Sequence, residues 1–268
     1  MTAALPPLLL VGCGRMGHAL LGAWLERGLE ALVVVDPAPR VPPGAAKAAI
    51  LADPAGIPAA FSPAAVVFAV KPQQASMVLP HYARFVRSSV FLSIMAGRTL
   101  KGIGATLGPG AAIVRAMPNT PAAIRAGTTV ACAGAGVDSA RKQLCETLLA
   151  AVGKVAWVED EALLDAVTAV SGSGPAYVFL LAELLERAGI EQGLPADLAR
   201  LLARRTISGA GALLEAGSED AGALRMAVTS PGGTTERALS VLMEARAWPA
   251  AVSRAIAAAT ERSRELAG

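Results

Sequence analysis

Three glycines near the start of the chain, Gly12, Gly14 and Gly17, follow a short apolar run and precede a helical pattern. Gly12 allows a tight turn, Gly14 lets backbone approach a pyrophosphate, and Gly17 lets the helix pack on the preceding strand. Phosphates bind at a helix N-terminus because its free N–H groups and the helix dipole favour an anion. The spacing therefore predicts a dinucleotide-binding turn.

An acidic residue, Asp36, ends the next apolar run, about 20 residues after Gly17. A carboxylate at this place accepts a hydrogen bond from the ribose 2′-hydroxyl, which favours NAD. Arg15 and Arg40 are near enough in sequence to meet a 2′-phosphate instead. The sequence leaves the choice between NADH and NADPH open.

Residues 69–73 follow the third apolar run, at the end of a strand where doubly wound sheets bind ligands. Pro72 is placed to begin the following helix, since proline is favoured at the first helical position. Lys71 is either a cofactor contact or a solvated charge in a loop.

Residues 93–97 and 117–121 follow the next two runs in the same way. Gly97 lets backbone come close to a cofactor. Asn119 has two interpretations of equal weight, a residue that caps a turn and a contact for the nicotinamide half of the cofactor.

The second half of the chain carries two glycine-containing turns that open helices, residues 171–177 and 229–235. Hydroxyls and free N–H groups at such a helix start make either an ordinary cap or a site for a small carboxylate. No histidine follows His81 and no lysine follows Lys154. A dehydrogenase that oxidises an alcohol normally needs such a base for the hydroxyl proton, so this half of the chain does not suit that reaction.

The elements that must position these residues change in character near residue 160. Before it, apolar runs without polar alternation predict strands covered on both faces, and the helical stretches between them make βαβ units. After it, the pattern is helix after helix. We therefore predict an α/β Rossmann domain with a doubly wound, mostly parallel sheet at residues 1–160, followed by an all-helical domain at residues 161–268. The predicted strands are residues 8–11, 31–35, 65–70, 90–94, 111–117, 128–133 and 154–158, and the predicted helices include 16–27, 73–87 and 139–151.

Composition excludes several classes of protein. A net charge of +3 and 4% aromatic residues argue against a nucleic-acid partner. With 54% hydrophobic and 17% charged residues the chain is not disordered. No uninterrupted apolar stretch reaches the roughly 18 to 20 residues of a membrane-spanning helix, and the first residues do not have the pattern of a signal peptide, so we expect no membrane association and a cytoplasmic location. Three widely spaced cysteines without clustered histidines predict buried free thiols and no metal site.

Six motifs, in order along nearly the whole chain, resemble those of pyrroline-5-carboxylate reductases. They are GCGRMG from residue 12, AVKPQ from 69, SIMAG from 93, MPNTP from 117, AVTAVSGSGPAYVF from 166 and VTSPGGTTERAL from 228. Arg15 stands where the family often has asparagine. The resemblance implies reduction of the C=N bond of 1-pyrroline-5-carboxylate to L-proline, with NADPH or NADH as the cofactor. It also implies a helical domain that dimerises, with dimers often assembling into larger rings.

The resemblance also assigns residues to the site. The substrate carboxylate would lie on the turn of Ser230, Gly232, Gly233 and Thr234, Thr235 would hydrogen-bond the ring nitrogen as the catalytic residue, and Glu161 would line the substrate site. The cofactor residues that it implies are Gly12, Gly14, Arg15, Met16, Gly17, Asp36, Ala69, Lys71, Pro72, Ala96 and Gly97, to which the position of Asn119 after a strand adds one more.

The chemistry of an imine agrees with the lack of a strong base. A cyclic imine can enter already protonated, so a hydroxyl such as that of Thr235, or a bound water, suffices at the nitrogen. One alternative is a 3-hydroxyacid dehydrogenase of the same two-domain plan, which needs a lysine where residues 171–190 have none. The other is a non-catalytic NAD(P)-sensing protein, which the turns present at both the cofactor and the carboxylate positions disfavour.

Apolar residues of the helical half follow the i, i+3, i+4, i+7 spacing of a packed helix, and further apolar neighbours widen that stripe. The stripe is Val178, Leu181, Ala182 and Leu185, and the neighbours are Phe179, Leu180 and Leu184. About a hundred residues of helix can hardly bury so much apolar surface alone, so we expect at least a homodimer. The sequence leaves open whether dimers build a ring.

Overall fold

The structure, a computed structural model, describes residues 4–29, 31–39, 41–42, 44–45 and 48–267. The chain forms two compact units. The first contains Met1–Gly172 with Ala259–Gly268, and the second contains Ser173–Ala258. The domain boundary expected at residue 160 stays a prediction.

The first unit is built on one sheet, in which the described residues form eight strands in the order β3-β2-β1-β4-β5-β6-β7-β8. Strand β7 runs antiparallel to β6, and the remaining neighbours are parallel. The chain reverses its direction of travel across the sheet between β1 and β4, the switch point at which such sheets bind ligands. The predicted doubly wound, mostly parallel sheet is confirmed. The strands are β1 Leu8–Val11, β2 Leu32–Val35, β3 Ala48–Leu51, β4 Ala65–Phe68, β5 Val90–Ser93, β6 Ala112–Met117, β7 Gly127–Ala133 and β8 Gly153–Val158.

Strand β3 was not predicted from the sequence. It lies at the edge of the sheet, pairs with β2 from Leu32 opposite Ala48 to Val35 opposite Leu51, and has no fully buried residue. An edge strand that is short and rich in alanine carries little of the β-branched signal by which central strands are recognised.

The core lies on both faces of the sheet. Along β1, Leu8 and Leu10 enter one buried cluster, and Leu9 and Val11 enter the other. This alternation of sides explains why the strands are continuous apolar runs. On the first face, Trp24 is fully buried and its indole Nε1 donates a hydrogen bond of 2.9 Å to the carbonyl oxygen of Leu148.

Helices and short 3-10 turns connect the strands. The helix predicted over residues 73–87 is instead a 3-10 turn at Pro72–Gln74, a single α-turn and a 3-10 segment at Leu79–Phe85. Pro80 accounts for the break, because proline lacks the N–H that a continuous α-helix needs. The α-helices of the first unit are α1 Arg15–Arg27, α2 Ala75–Val78, α3 Leu100–Leu107, α4 Ser139–Leu149 and α5 Leu163–Val167, the last continuing as a π-helical turn at Thr168–Gly172.

The second unit is entirely helical among its described residues. Its helices are α6 Gly174–Glu191, α7 Ala196–Ala216, α8 Ala221–Ala227, α9 Thr234–Leu242 and the first part of α10 Trp248–Ala267. Large apolar side chains of α6 are exposed, with Phe179 at 63% and Leu180 at 53%. A surface of this kind is typical of a subunit interface.

The same region passes a length and composition test for a membrane-spanning helix. The stretch Leu163–Glu191 is the one such candidate among the described residues. Asp165, Glu183 and Glu186 lie within this stretch. The expectation of no membrane association stays a prediction.

Candidate functional site

A cleft of about 470 Å³ opens at the carboxyl ends of the central strands. It is lined by the ends of β1, β2 and β4 and by residues that follow β3. Five of the predicted cofactor residues lie in its wall: Gly12, Gly14, Asp36, Ala69 and Lys71. The other described residues of the wall are Val11, Val35, Pro37, Ala52, Asp53, Pro54, Val70, Gln74, Met77, Val78, His81 and Tyr82.

The glycine turn has the geometry that its spacing predicts. Gly12 has φ +91°, and a Cβ there would lie 2.7 Å from the carbonyl carbon of Ala69. A Cβ on Gly17 would collide with the carbonyl oxygen of Gly12. Gly14, in contrast, precedes α1 without a side-chain cap and has no atom within 4 Å of the place a Cβ would take. The turn therefore fits a pyrophosphate, with open space and uncapped N–H groups at the start of a helix.

Arg15 and Met16 begin helix α1. Arg15 is exposed, whereas Met16 is half-buried and packs against the core on the first face of the sheet. Arg40, the second arginine considered for a 2′-phosphate, lies outside the described residues.

Asp36 holds the glycine turn in place. Its Oδ2 accepts a hydrogen bond of 2.6 Å from the backbone N–H of Cys13, and its Oδ1 accepts one of 2.8 Å from that of Ala38. Each carboxylate oxygen has two lone pairs, so both oxygens keep acceptor capacity toward the cleft.

The segments after β4 and β5 lie differently with respect to the cleft. Pro72 begins a short 3-10 turn instead of the predicted helix, and its carbonyl accepts a hydrogen bond of 2.8 Å from Nε of Arg98. Gly97 has φ +69°, and a Cβ there would lie 2.9 Å from the carbonyl oxygen of Leu266. The group that Gly97 approaches closely is therefore the backbone of Leu266 and not a cofactor. Ala96 and Gly97 are not among the described residues that line the cleft.

The Asn119 amide makes two hydrogen bonds within the first unit. Its Oδ1 accepts from the N–H of Thr128 at 2.8 Å, and its Nδ2 donates to Oγ of Ser171 at 3.2 Å. These bonds tie the start of β7 to the π-helical turn, whereas the side chain does not cap the 3-10 turn that Asn119 precedes. A contact with the nicotinamide half stays a prediction.

Glu161 forms an ion pair that the sequence analysis did not foresee. Its Oε1 accepts hydrogen bonds from the N–H of Leu100 at 2.8 Å and from Nη1 of Arg115 at 2.9 Å. The Arg115 side chain is only 5% exposed and that of Glu161 25% exposed. Glu161 thus caps the start of α3 and neutralises a buried cation. The sequence signal for Arg115 was a single charge inside the apolar run 111–117.

The glycine turn at the start of α9 binds a carboxylate of the chain itself, that of Glu236. Gly232 has φ +71°, and its backbone N–H donates a hydrogen bond of 2.7 Å to Oε2 of Glu236. Gly233 precedes the helix without a side-chain cap, and its N–H donates to the carbonyl of Ser230 at 3.0 Å. The predicted residues Ser230, Gly232, Gly233, Thr234 and Thr235 are therefore grouped in one turn and the first residues of a helix.

The Thr235 side chain is half-buried, and its hydroxyl has no hydrogen bond among the described residues. The neighbouring Thr234 is exposed. A hydroxyl that is not used internally is available to a ligand.

Sequence reasoning missed Asp53 and Tyr82 in the wall of the cleft. Asp53 follows β3, and its Oδ1 accepts a hydrogen bond of 2.7 Å from the N–H of Ala55. The signal was the dipeptide Asp53-Pro54, typical of a turn, but without β3 nothing placed that turn at the sheet. Tyr82 lies in the 3-10 segment at Leu79–Phe85.

Three buried groups have perturbed acidities. Burial raises the pKa of the Tyr82 hydroxyl, and the negative charge of Asp53 raises it further. Burial raises the pKa of the Cys145 thiol to about 12. The pKa of the Cys132 thiol is raised first by burial and then by the charge of Glu161, which Arg115 partly offsets. The three cysteines are buried with free thiols, as predicted.

Two family models match the chain. Residues 161–266 match "Pyrroline-5-carboxylate reductase dimerisation", and residues 8–97 match "NADP oxidoreductase coenzyme F420-dependent".

Whole proteins match over nearly the full length. A pyrroline-5-carboxylate reductase of Pseudomonas aeruginosa is 37% identical over 98% of this chain and 97% of its own. The structure of a pyrroline-5-carboxylate reductase from Coxiella burnetii has a TM-score of 0.86 and 34% identity over 97% of this chain and 98% of its own. The crystal structure of Plasmodium falciparum pyrroline carboxylate reductase with NADP bound has a TM-score of 0.84 and 27% identity, over 98% of each chain.

Proposed function

The chain belongs to the pyrroline-5-carboxylate reductase family, and we propose from this membership that it reduces the C=N bond of 1-pyrroline-5-carboxylate to give L-proline, the last step of proline synthesis. The observation that carries the proposal is the match to a reductase along nearly its whole length. The glycine turns before α1 and α9 support it, because each precedes a helix that has no side-chain cap. The cofactor, NADH or NADPH, supplies the hydride when bound.

The cleft in the first unit is proposed as the cofactor site. Gly12, Gly14 and Gly17 would hold the pyrophosphate against the start of α1, and Asp36 would meet the adenosine ribose. The open space at Gly14 and the crowded surroundings of the other two glycines support this assignment. Arg15, Met16, Ala69, Lys71, Pro72, Ala96, Gly97 and Asn119 are proposed to complete the binding site.

The turn before α9 is proposed to bind the substrate carboxylate. Support comes from Glu236, whose carboxylate already accepts a hydrogen bond from the N–H of Gly232. The turn is therefore able to bind a carboxylate, as expected for uncapped N–H groups at the positive end of a helix. Ser230 and Thr234 would add donors, and Gly233, whose N–H donates to the carbonyl of Ser230, would shape the turn.

Thr235 is proposed as the catalytic residue. Its hydroxyl would hold or relay a proton at the ring nitrogen. No basic side chain is needed when the imine enters protonated, because hydride addition to its carbon then gives the neutral amine directly. The remaining work of the chain is to orient the reacting atoms, which can contribute about 7–11 kcal/mol to lowering a barrier.

Glu161 is proposed to line the substrate site, and its ion pair with Arg115 gives the same carboxylate a structural role. The protein is a homodimer through its helical domain, in keeping with the dimerisation model and with the exposed apolar side chains of α6. Assembly of dimers into a ring, a cytoplasmic location and the absence of nucleic-acid or membrane partners are part of the proposal.

The experiment is direct. Purified protein is mixed with 1-pyrroline-5-carboxylate and either NADH or NADPH, and both loss of the reduced-nicotinamide absorbance and formation of proline are followed. Proline should accumulate in step with cofactor oxidation. No turnover with either cofactor would reject the proposed activity.

A further inference from the structure

Family membership leaves the choice between NADH and NADPH open. The two cofactors differ only at the adenosine ribose, so the residues at that end of the cleft determine which one binds more tightly. Strands β2 and β3 are neighbours, with Val35 opposite Leu51. Asp36 comes one residue after Val35, and Asp53 comes two residues after Leu51. The backbone N–H of Asp36 donates to the carbonyl of Leu51 at 2.9 Å, so the two strands are still joined where these segments begin. Both aspartates line the same cleft.

This inference rests on the cofactor site proposed above. We infer that the protein binds NADH more tightly than NADPH, because two carboxylates, Asp36 and Asp53, flank the place where a 2′-phosphate would lie. Asp36 stands at the ribose-reading position of the fold. Asp53 adds a second negative charge that the ordinary fingerprint does not contain.

Backbone groups fix both carboxylates in place. Asp36 is held by the N–H groups of Cys13 and Ala38, and Asp53 by that of Ala55. The second oxygen of Asp53 has no partner among the described residues, which leaves an acceptor for a ribose hydroxyl. The charge of Asp53 also acts on the cleft wall, since it contributes to the raised pKa of Tyr82.

Among the described residues that line the cleft, no cation lies beside this pair. Lys71 is the one lysine or arginine among the described wall residues, and His81 is the one histidine. Lys71 follows β4, which is two strands from β2 and three from β3 in the order β3-β2-β1-β4. With strands about 4.8 Å apart, Lys71 is displaced by about 10 Å from the end of β2 and about 14 Å from that of β3. It is therefore placed for the pyrophosphate or nicotinamide half of the cofactor.

A 2′-phosphate carries a charge of about −1.5 to −2 at neutral pH. A carboxylate about 7 Å away in a solvent-filled cleft would weaken its binding about tenfold. A ribose hydroxyl, by contrast, donates a hydrogen bond to the same carboxylate. Two such groups should make NADH the tighter ligand by at least tenfold.

The test is a binding titration of the full-length protein with NADH and with NADPH, followed by nicotinamide fluorescence without substrate. The wild-type protein should bind NADH at least tenfold more tightly. Asp53→Asn keeps an acceptor for the N–H of Ala55. It should bind NADPH about tenfold more tightly and NADH no more tightly than the wild type, so the affinity ratio shifts at least tenfold toward NADPH. Asp138→Asn is the matched control, because Asp138 also caps a helix through a backbone N–H but lies outside the cleft wall.

Equal or tighter NADPH binding by the wild-type protein would overturn the inference, as would an unchanged affinity ratio in Asp53→Asn. A ratio that narrows as salt rises would support it, since screening weakens the repulsion. Asp36→Asn is a second variant, although loss of its charge also weakens the bond to Cys13. Because these measurements need no imine, their outcome is separate from that of the turnover assay.

Discussion

Replacement of Glu161 with glutamine separates a structural role for this carboxylate from a role toward substrate. The variant keeps an oxygen to accept the N–H of Leu100 but leaves the Arg115 guanidinium, 5% exposed, without its anion. Removing one partner of a buried ion pair costs about 3–5 kcal/mol. Glu161 is 25% exposed, so water reaches the pair, and we expect a smaller loss of about 2–3 kcal/mol in the free energy of unfolding. A loss of that size lowers Tm by about 4–10 °C in a protein of this size.

The chain offers a matched control in the ion pair between Glu26 and Arg125, whose side chains are 60% and 53% exposed. Exposed pairs contribute about 0–1 kcal/mol, so Glu26→Gln should move Tm by no more than about 3 °C. Thermal unfolding followed by circular dichroism gives both values, and steady-state kinetics give KM for the imine. Adding Arg115→Met to Glu161→Gln should recover part of the lost stability, because the unpaired buried cation is then gone.

The reasoning would be refuted if Glu161→Gln and Glu26→Gln shifted Tm equally. If Glu161→Gln instead raised KM with Tm unchanged, Glu161 would act on the substrate, as the family resemblance implies.

Three further predictions concern other residues. Gly14→Ala should keep the wild-type Tm but weaken NADH binding at least tenfold, because its methyl group enters the open space proposed for the pyrophosphate. Gly17→Ala should lower both Tm and the affinity for NADH, because its methyl group collides with the carbonyl of Gly12. Equal effects of the two substitutions on Tm would contradict this. Thr235→Ala should lower kcat at least tenfold with the cofactor Kd unchanged, and Ser240→Ala, which removes another hydroxyl of α9, should leave both at the wild-type values; an active Thr235→Ala would remove this hydroxyl from the mechanism. Burial raises the pKa of the Cys145 thiol from its ordinary value of 9.0 to about 12. Its contribution to stability is therefore present below pH 9 and is lost as pH rises toward 12. Urea titrations from pH 8 to about pH 11 should show a smaller decline for Cys145→Ala than for the wild type, and parallel curves would exclude this thiol as a cause.

The parts of the site that the sequence predicted are those set by local spacing. Gly12, Gly14 and Gly17 act within one turn, and the close approach of Gly17 to Gly12 follows from the geometry of any strand, turn and helix. The close approach of Gly12 to Ala69, in contrast, depends on the neighbouring strand β4. The turn before α9 is equally local, since Gly232 and Glu236 are four residues apart.

The rest depends on contacts between distant segments or on a weak edge strand. Arg115 and Glu161 are 46 residues apart, and no spacing rule pairs them. Asp53 was missed because β3 was missed, and β3 was missed because it is an alanine-rich edge strand. The helix predicted over residues 73–87 was wrong, because the apolar periodicity continues through Pro80 although proline cannot donate the hydrogen bond of a continuous α-helix.

One buried contact sets when the first unit can finish folding during synthesis. Oγ of Ser263 donates a hydrogen bond of 2.7 Å to Oδ1 of Asp165, and the two residues are 98 positions apart. Asp165 and Ser263 are 9% and 5% exposed, so until residue 263 has left the ribosome a carboxylate destined for the interior has no partner. At about 5–20 residues per second that interval is about 5–20 s. During translation, the first unit therefore cannot complete this buried contact until all of the residues of the second unit, which lie between its two parts, have been synthesised.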